Sequence, residues 1–179
     1  MLARFAQGSL VTQNSAGSVE WAGGRLDAVR TVLTIGERML YVKRAMRKRY
    51  NNRATLEFND EYDDQDLLRT LLTVFFSDIR PEAWTPNYAG GSSRIDFVLP
   101  EFALAVELKT ARASMTAKSV SDELIVDRDR YKELGTITHL VCLVFDYDGY
   151  LINPRGLERD LSREATAEGL AATVRIYDR

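Results

Sequence analysis

Between residues 25 and 50, apolar side chains recur at alternating steps of four and three: Ala28, Val32, Ile35, Met39, Val42 and Met46. That spacing lines one face of a helix. The stripe is shorter than three full heptads, so it predicts either a helix packed on its own domain or a dimer seam, not an extended coiled coil. Gly36 lies inside this helix, where it costs about 1 kcal/mol relative to Ala. A second helix is predicted over residues 61–79, EYDDQDLLRTLLTVFFSDI. Asp60 is its N-cap and the acids of its first turn suit the positive end of the helix dipole. Leu68, Leu72, Phe75, Phe76 and Ile79 supply its core face, and Pro81 stops it. Residues 116–134 carry Val120, Leu124, Tyr131 and Leu134 at helical spacing, and a short helix runs from Pro154 to Ser162.

Elsewhere the pattern is that of strands. These are Trp84–Tyr88, RIDFVL (94–99), FALAVELK (102–109), the buried run HLVCLVFDY (139–147) and a last strand near Ala172–Tyr177. Residues 1–24 are rich in Gly and polar side chains and read as a lead-in with one short strand near Leu10–Thr12. After residue 60 the order is helix, three strands, helix, strand, helix, strand. That order predicts an α/β or α+β domain in which helices cover a mixed sheet.

Composition narrows the chemistry. The chain has 179 residues, 24 Lys plus Arg against 26 Asp plus Glu, and a net charge of −2. This argues against a polybasic binder but leaves room for local clusters. One such cluster is the run Arg38, Lys43, Arg44, Arg47, Lys48, Arg49 and Arg53. It is either a surface that tracks phosphates or the partner of the six acids between Glu57 and Asp66. The sole cysteine, Cys142, excludes a disulfide framework and a Cys-based zinc site, and the sole histidine, His139, excludes a His-rich metal site. No apolar run approaches the ~18–20 residues of a membrane span and the start has no secretory core, so a cytoplasmic protein is expected.

The two strands around Pro100–Glu101 can be registered from sequence. If those residues centre the turn, Leu99 faces Phe102, Phe97 faces Leu104 and Ile95 faces Val106, with Leu108 extending an apolar row. The other face then holds Arg94, Asp96 and Val98 against Ala103, Ala105, Glu107 and Lys109. Asp96 lies opposite Ala105, with Glu107 as its diagonal neighbour at roughly 7 Å, a spacing one cation can bridge. Like charges so close repel unless a cation or a proton intervenes. Two carboxylates with a lysine make a hard-metal site, and Mg²⁺ takes only one or two protein carboxylates and keeps its waters. Lys109 is placed to hold water or stabilise a transition state, with burial expected to lower its pKa. The alternative is that Asp96 and Glu107 are salt-bridge partners of Arg94 and Lys109.

The surrounding words resemble a known group. TPNYAGGSSRIDFVLPEFALAVELKTAR (85–112) resembles the active-site segment of the PD-(D/E)xK phosphodiesterase superfamily. EYDDQDLL (61–68), ELIVDRDRYK (123–132) and DGYLINPRGLERDLS (148–162) resemble one bacterial branch of it, found in restriction and phage-defence proteins. The resemblance covers roughly residues 53–178 and departs at Ile95, where the motif has its Pro. It implies a restriction-endonuclease-like fold and a Mg²⁺-dependent nuclease, with Mn²⁺ as a substitute, acting most readily on DNA. Asp96, Glu107 and the Leu108 carbonyl would ligate the metal, Lys109 would activate or position water, and Glu61 and Gln65 would support the site from the preceding helix. The chain then divides into an extension, residues 1–52, whose helix suits a homodimer or a protein partner, and a nuclease domain, residues 53–179.

Further candidates follow from position. Ser92, Ser93 and Arg94 follow two glycines and suit a phosphate, or form a polar turn. Arg112 and Lys118 leave the active strand and suit phosphates. Asp127 shares a helix face with Glu123 and Tyr131, inside the apolar stripe. It orients Lys109 or the substrate, or bonds to Arg130 or Tyr131. A second function class stays open: a silent nuclease-like module that binds nucleic acid or a protein.

Overall fold

The computed structural model describes residues 11–13, 19–21, 24–84, 94–133, 135–164, 166 and 169–178. Two short strands, β1 (Val11–Gln13) and β2 (Val19–Trp21), pair antiparallel ahead of helix α1 (Arg25–Arg47). Helix α2 (Glu61–Leu72) precedes β3 (Arg80–Trp84), β4 (Arg94–Leu99) and β5 (Leu104–Thr110). Then come α3 (Ala117–Glu133), β6 (His139–Asp146), α4 (Pro154–Leu161) and β7 (Ala171–Asp178). The five long strands form one sheet in the order β3-β4-β5-β6-β7. The first three are antiparallel and the last three parallel, so the sheet is mixed, as expected. The parallel connections run through α3 and α4, the crossover that parallel neighbours require.

Alternation along β6 shows how the layers are built. Val141, Leu143 and Phe145 pack in one core with α1 and α2, while Cys142 and Val144 pack in another with α3 and α4. Ala28, Val32, Ile35 and Met39 of α1 are buried in the first core, alongside Leu68 and Leu72 of α2. The apolar stripe of α1 is therefore consumed within its own chain and is not a free seam. Tyr177 reaches from β7 to that helix, stacks 5.2 Å from Phe145 and donates to the Leu33 carbonyl at 2.7 Å.

Two expectations need correction. Helix α2 ends at Leu72, not at residue 79. Thr73 caps it, and the amides of Val74 and Phe75 bond back three residues to Leu71 and Leu72, tightening the chain into a turn. Phe76 still reaches the core and packs edge-on against Phe102. Pro81, expected to stop the helix, sits instead in β3, an edge strand that tolerates a missing N–H. That strand runs from Arg80 to Trp84; beyond Trp84, the strand expected over Trp84–Tyr88 lies outside the described residues.

The hairpin register also differs. Phe97 pairs with Val106, Val98 with Ala105 and Leu99 with Leu104. Pro100–Phe102 form a short 3₁₀ turn and Ala103 adopts a left-handed conformation at φ 48°, so the connection consumes four residues where two were expected. A shift of two keeps every residue of β5 on its expected face. Ile95 is the exception. It packs with Val98, Ala105 and Tyr131 rather than with Phe97 and Leu99, so strict alternation breaks at Asp96.

Candidate active site

Asp96 lies where β4 leaves its regular ladder with β5. Its Oδ2 accepts the Leu108 amide at 2.8 Å, in place of a backbone carbonyl, and its own amide points at Glu107 Oε1 at 3.4 Å. The paired register ends at Phe97–Val106, and just beyond it the Asp96 amide and the Glu107 carboxylate meet. The two-residue shift leaves Glu107 on the face expected of it. Helix α2 adds the third contact: Gln65 Nε2 donates to Asp96 Oδ1 at 2.9 Å. One turn earlier, Glu61 Oε2 accepts the Thr110 amide at 2.8 Å, which fastens the start of α2 to the end of β5. A capping box between Asp60 and Asp63 sets that helix start.

Glu107 is buried and accepts a hydrogen bond from the Tyr131 hydroxyl on α3. Burial pushes its carboxyl well above the usual range, and Asp96 and Asp127 add to this. Asp96 is pushed up to about 6, first by burial and then by Glu61, against the opposing Leu108 amide. Burial is the leading cause at both carboxyls, because it disfavours the charged form, and Asp96 adds to the effect at Glu107. This is the electrostatic situation a cation relieves. Among the described residues no cluster of three or more His, Cys, Asp or Glu side chains is arranged to hold a metal. The donor set on offer is two carboxylates with the neighbouring Leu108 carbonyl, all hard oxygens, which fits a cation that keeps several waters.

Lys109 sits two residues on from Glu107 and faces α3. Its ammonium is 3.3 Å from Asp127 and 3.6 Å from Glu123. Burial works against its charge, but Asp127 and Glu107 outweigh it and raise its pKa above the ordinary lysine value. The expectation that burial would lower this pKa is therefore reversed: Lys109 is a fixed cation.

The structure gathers Asp96, Glu107, Lys109, Glu61, Gln65 and Asp127 into one locality drawn from α2, β4, β5 and α3. Arg112 is exposed just beyond β5 in a cleft that Glu61 also lines, and Lys118 is exposed in the first turn of α3. Ser92 and Ser93 lie outside the described residues, as does the side chain of Arg94. Tyr131 and Glu123 were not expected as site residues. Their signal was present, since Glu123, Asp127 and Tyr131 recur every four residues on one face of α3. A second unanticipated group stands behind Glu61. Asp64 is buried on α2 and accepts from Lys43 Nζ at 2.5 Å and from the Tyr147 hydroxyl at 2.7 Å. His139 shares a hydrogen bond with Thr173 at 2.8 Å, and Cys142 is a buried core thiol.

The family model of the DpnII-MboI restriction endonucleases (REase_DpnII-MboI) matches residues 30–176, from within α1 to within β7. No curated protein and no solved structure gives a significant match.

Proposed function

Because the chain belongs to the DpnII-MboI restriction endonuclease family, and is by that membership a DNA endonuclease, we propose that it cuts DNA phosphodiesters at the Asp96–Glu107–Lys109 site with Mg²⁺ as cofactor and Mn²⁺ as a substitute. The observation that carries this reading is the juxtaposition of two desolvated carboxylates on neighbouring strands with a charged lysine two residues from one of them. Asp96, Glu107 and the Leu108 carbonyl would hold the metal. When bound, such an ion lowers the pKa of a coordinated water and neutralises charge that builds on the phosphate.

The chain's own residues do the rest. Gln65 and the Leu108 amide pin both oxygens of Asp96, so its carboxylate does not have to be ordered when substrate arrives. Tyr131 fixes Glu107 from the opposite layer. Lys109, kept cationic by Asp127 and Glu123, positions the attacking water by hydrogen bonding and stabilises the developing negative charge as a donor. It does not act as a neutral base. Ser92, Ser93, Arg94 and Lys118 are proposed phosphate contacts. A role in phage defence inside the cytoplasm is part of the same proposal. Among the described residues no helix is long and apolar enough to cross a membrane.

A cleavage assay tests it. Supercoiled plasmid, linear duplex, single-stranded DNA and RNA are incubated with Mg²⁺, Mn²⁺ or EDTA. Metal-dependent cutting of DNA is expected, falling at least about 10²-fold in Lys109→Ala and vanishing in Asp96→Ala. Cutting that persists in EDTA, or survives both substitutions, would overturn the assignment of this site.

A further inference from the structure

We propose that the cleft beside the active site carries the DNA strand leading away from the cut, with Arg44, Arg47 and Arg112 on its phosphates and Tyr62 and Tyr150 against its bases. The proposal rests on the endonuclease reading above and adds the path of the substrate. The cleft has a volume of about 900 Å³ and lies between the C-terminal end of α1, the start of α2 and the segments that follow β5 and β6. Glu61 and Thr110 line it and bond to each other beside the active site, so the cleft adjoins that site.

The basic run of α1 sorts itself in the fold. Lys43 is buried and committed to Asp64 and Tyr147. Arg49 donates to the Ala54 carbonyl, and Arg38 and Arg53 lie over the rings of Tyr41 and Tyr50. Arg44 and Arg47 instead line the cleft, exposed, and Arg112 does the same from beyond β5. Among the described residues none of these three makes an ion pair or donates a side-chain hydrogen bond.

The carboxylates of the cleft, by contrast, are engaged with the chain itself. Asp60 caps α2, Glu61 accepts the Thr110 amide, Asp64 holds Lys43, Asp146 accepts the amides of residues 149–151, Asp178 pairs with Arg155 at 3.3 Å, and the exposed Asp148 bonds to the side chain of Tyr150. Acidic groups satisfied internally repel an incoming anion less than free ones, and uncommitted guanidiniums match phosphate oxygens in geometry and charge. Tyr62, 75% exposed, and Tyr150, 39% exposed, present rings on which any base can stack.

The test is DNA binding by fluorescence anisotropy over a salt series in EDTA, with labelled duplex and single-stranded oligonucleotides. Wild type is compared with Arg44→Ala, Arg47→Ala, Arg112→Ala, Arg47→Lys and Arg30→Ala. Arg30 is exposed at the far end of α1, beside Asp27. Each alanine variant at the cleft is expected to lower the slope of log affinity against log salt by about one. The loss should be equal across sequences, and KM for cleavage should rise. Arg47→Lys should keep the slope and Arg30→Ala should match wild type. If wild type binds and cuts DNA while the three alanine variants retain its slope, the strand does not use this cleft and the endonuclease reading stands. If binding is lost equally in Arg47→Lys, the effect is structural and the proposal fails. If wild type neither binds nor cuts DNA, both readings fall together.

Discussion

Asp96 stands where geometry and electrostatics pull apart. Its two oxygens are satisfied by Gln65 and the Leu108 amide, yet burial and the nearby Glu61 push its carboxyl up to about 6. The ordinary value is 3.8, so folding favours the protonated form. That contribution to stability is fully present below the unfolded pKa and is lost as pH rises through the folded one. In EDTA, the melting temperature of wild type should therefore fall relative to that of Asp96→Asn as pH rises from about 4 to about 7. Added Mg²⁺ should recover most of the loss at the upper end, because a cation bound to the ionised pair replaces the missing proton. Thermal melts by circular dichroism across this range measure it. A wild-type-minus-variant difference that stays flat would show that Asp96 ionises without penalty. Lys109 tilts the other way: its acidic neighbours on α3 keep it charged, which suits a donor to a phosphate.

At the scale of elements, the contact between α1 and β7 explains an otherwise unfavourable residue. Gly36 weakens the intrinsic preference of α1 for helix. A Cβ at this position would sit 2.7 Å from the Tyr177 hydroxyl and 2.8 Å from its ring. Tyr177 cannot swing clear without breaking its bond to the Leu33 carbonyl and its stack on Phe145. Gly36→Ala should thus lower stability, by about 1–3 kcal/mol, as overpacking does, although propensity alone predicts a gain. Urea denaturation decides the sign. The link between α1 and α2 has a comparable logic. Lys43 and Asp64 form a buried ion pair, with Tyr147 closing it from the end of β6. That pair stands one turn behind Glu61 and ties the active-site helix to both neighbours.

For the molecule as a whole, the question is how far the nuclease unit extends. The family match begins at Arg30, and Ala28, Val32, Ile35 and Met39 are buried against the central sheet. Removing residues 1–52 would expose the sheet face that those side chains cover and would leave Asp64 a buried charge without Lys43. We expect that truncation to abolish cooperative folding, which far-UV circular dichroism and a thermal melt would report. A truncated chain that melts cooperatively near the full-length temperature would show that α1 is an accessory. The 179-residue chain should unfold in one transition, since its buried clusters all pack on the same sheet.

The order of elements, the acids and bases available, and the faces of β5 were all legible along the chain. Period two is a local property, and a register error of two residues leaves each side chain on its own side of the sheet. The turn at Pro100–Ala103 was not legible in the same way. Its length depends on Ala103 entering a left-handed conformation that alanine seldom adopts, and it shifted the pairing of β4 with β5 by two residues. Nor did periodicity show where α2 stops, because Phe76 still reaches the core from a turn. Sequence alone determined that this chain carries Asp96, Glu107 and Lys109 at strand spacing, and a basic run on one helix. Only the tertiary structure decided that Tyr131 and Asp127 complete the site from α3, that Lys43 is spent on Asp64, and that Arg44 and Arg47 remain free to face a cleft. Those pairings join residues 18 or more positions apart in the chain, and distances of that kind are set by how the layers pack rather than by any local rule.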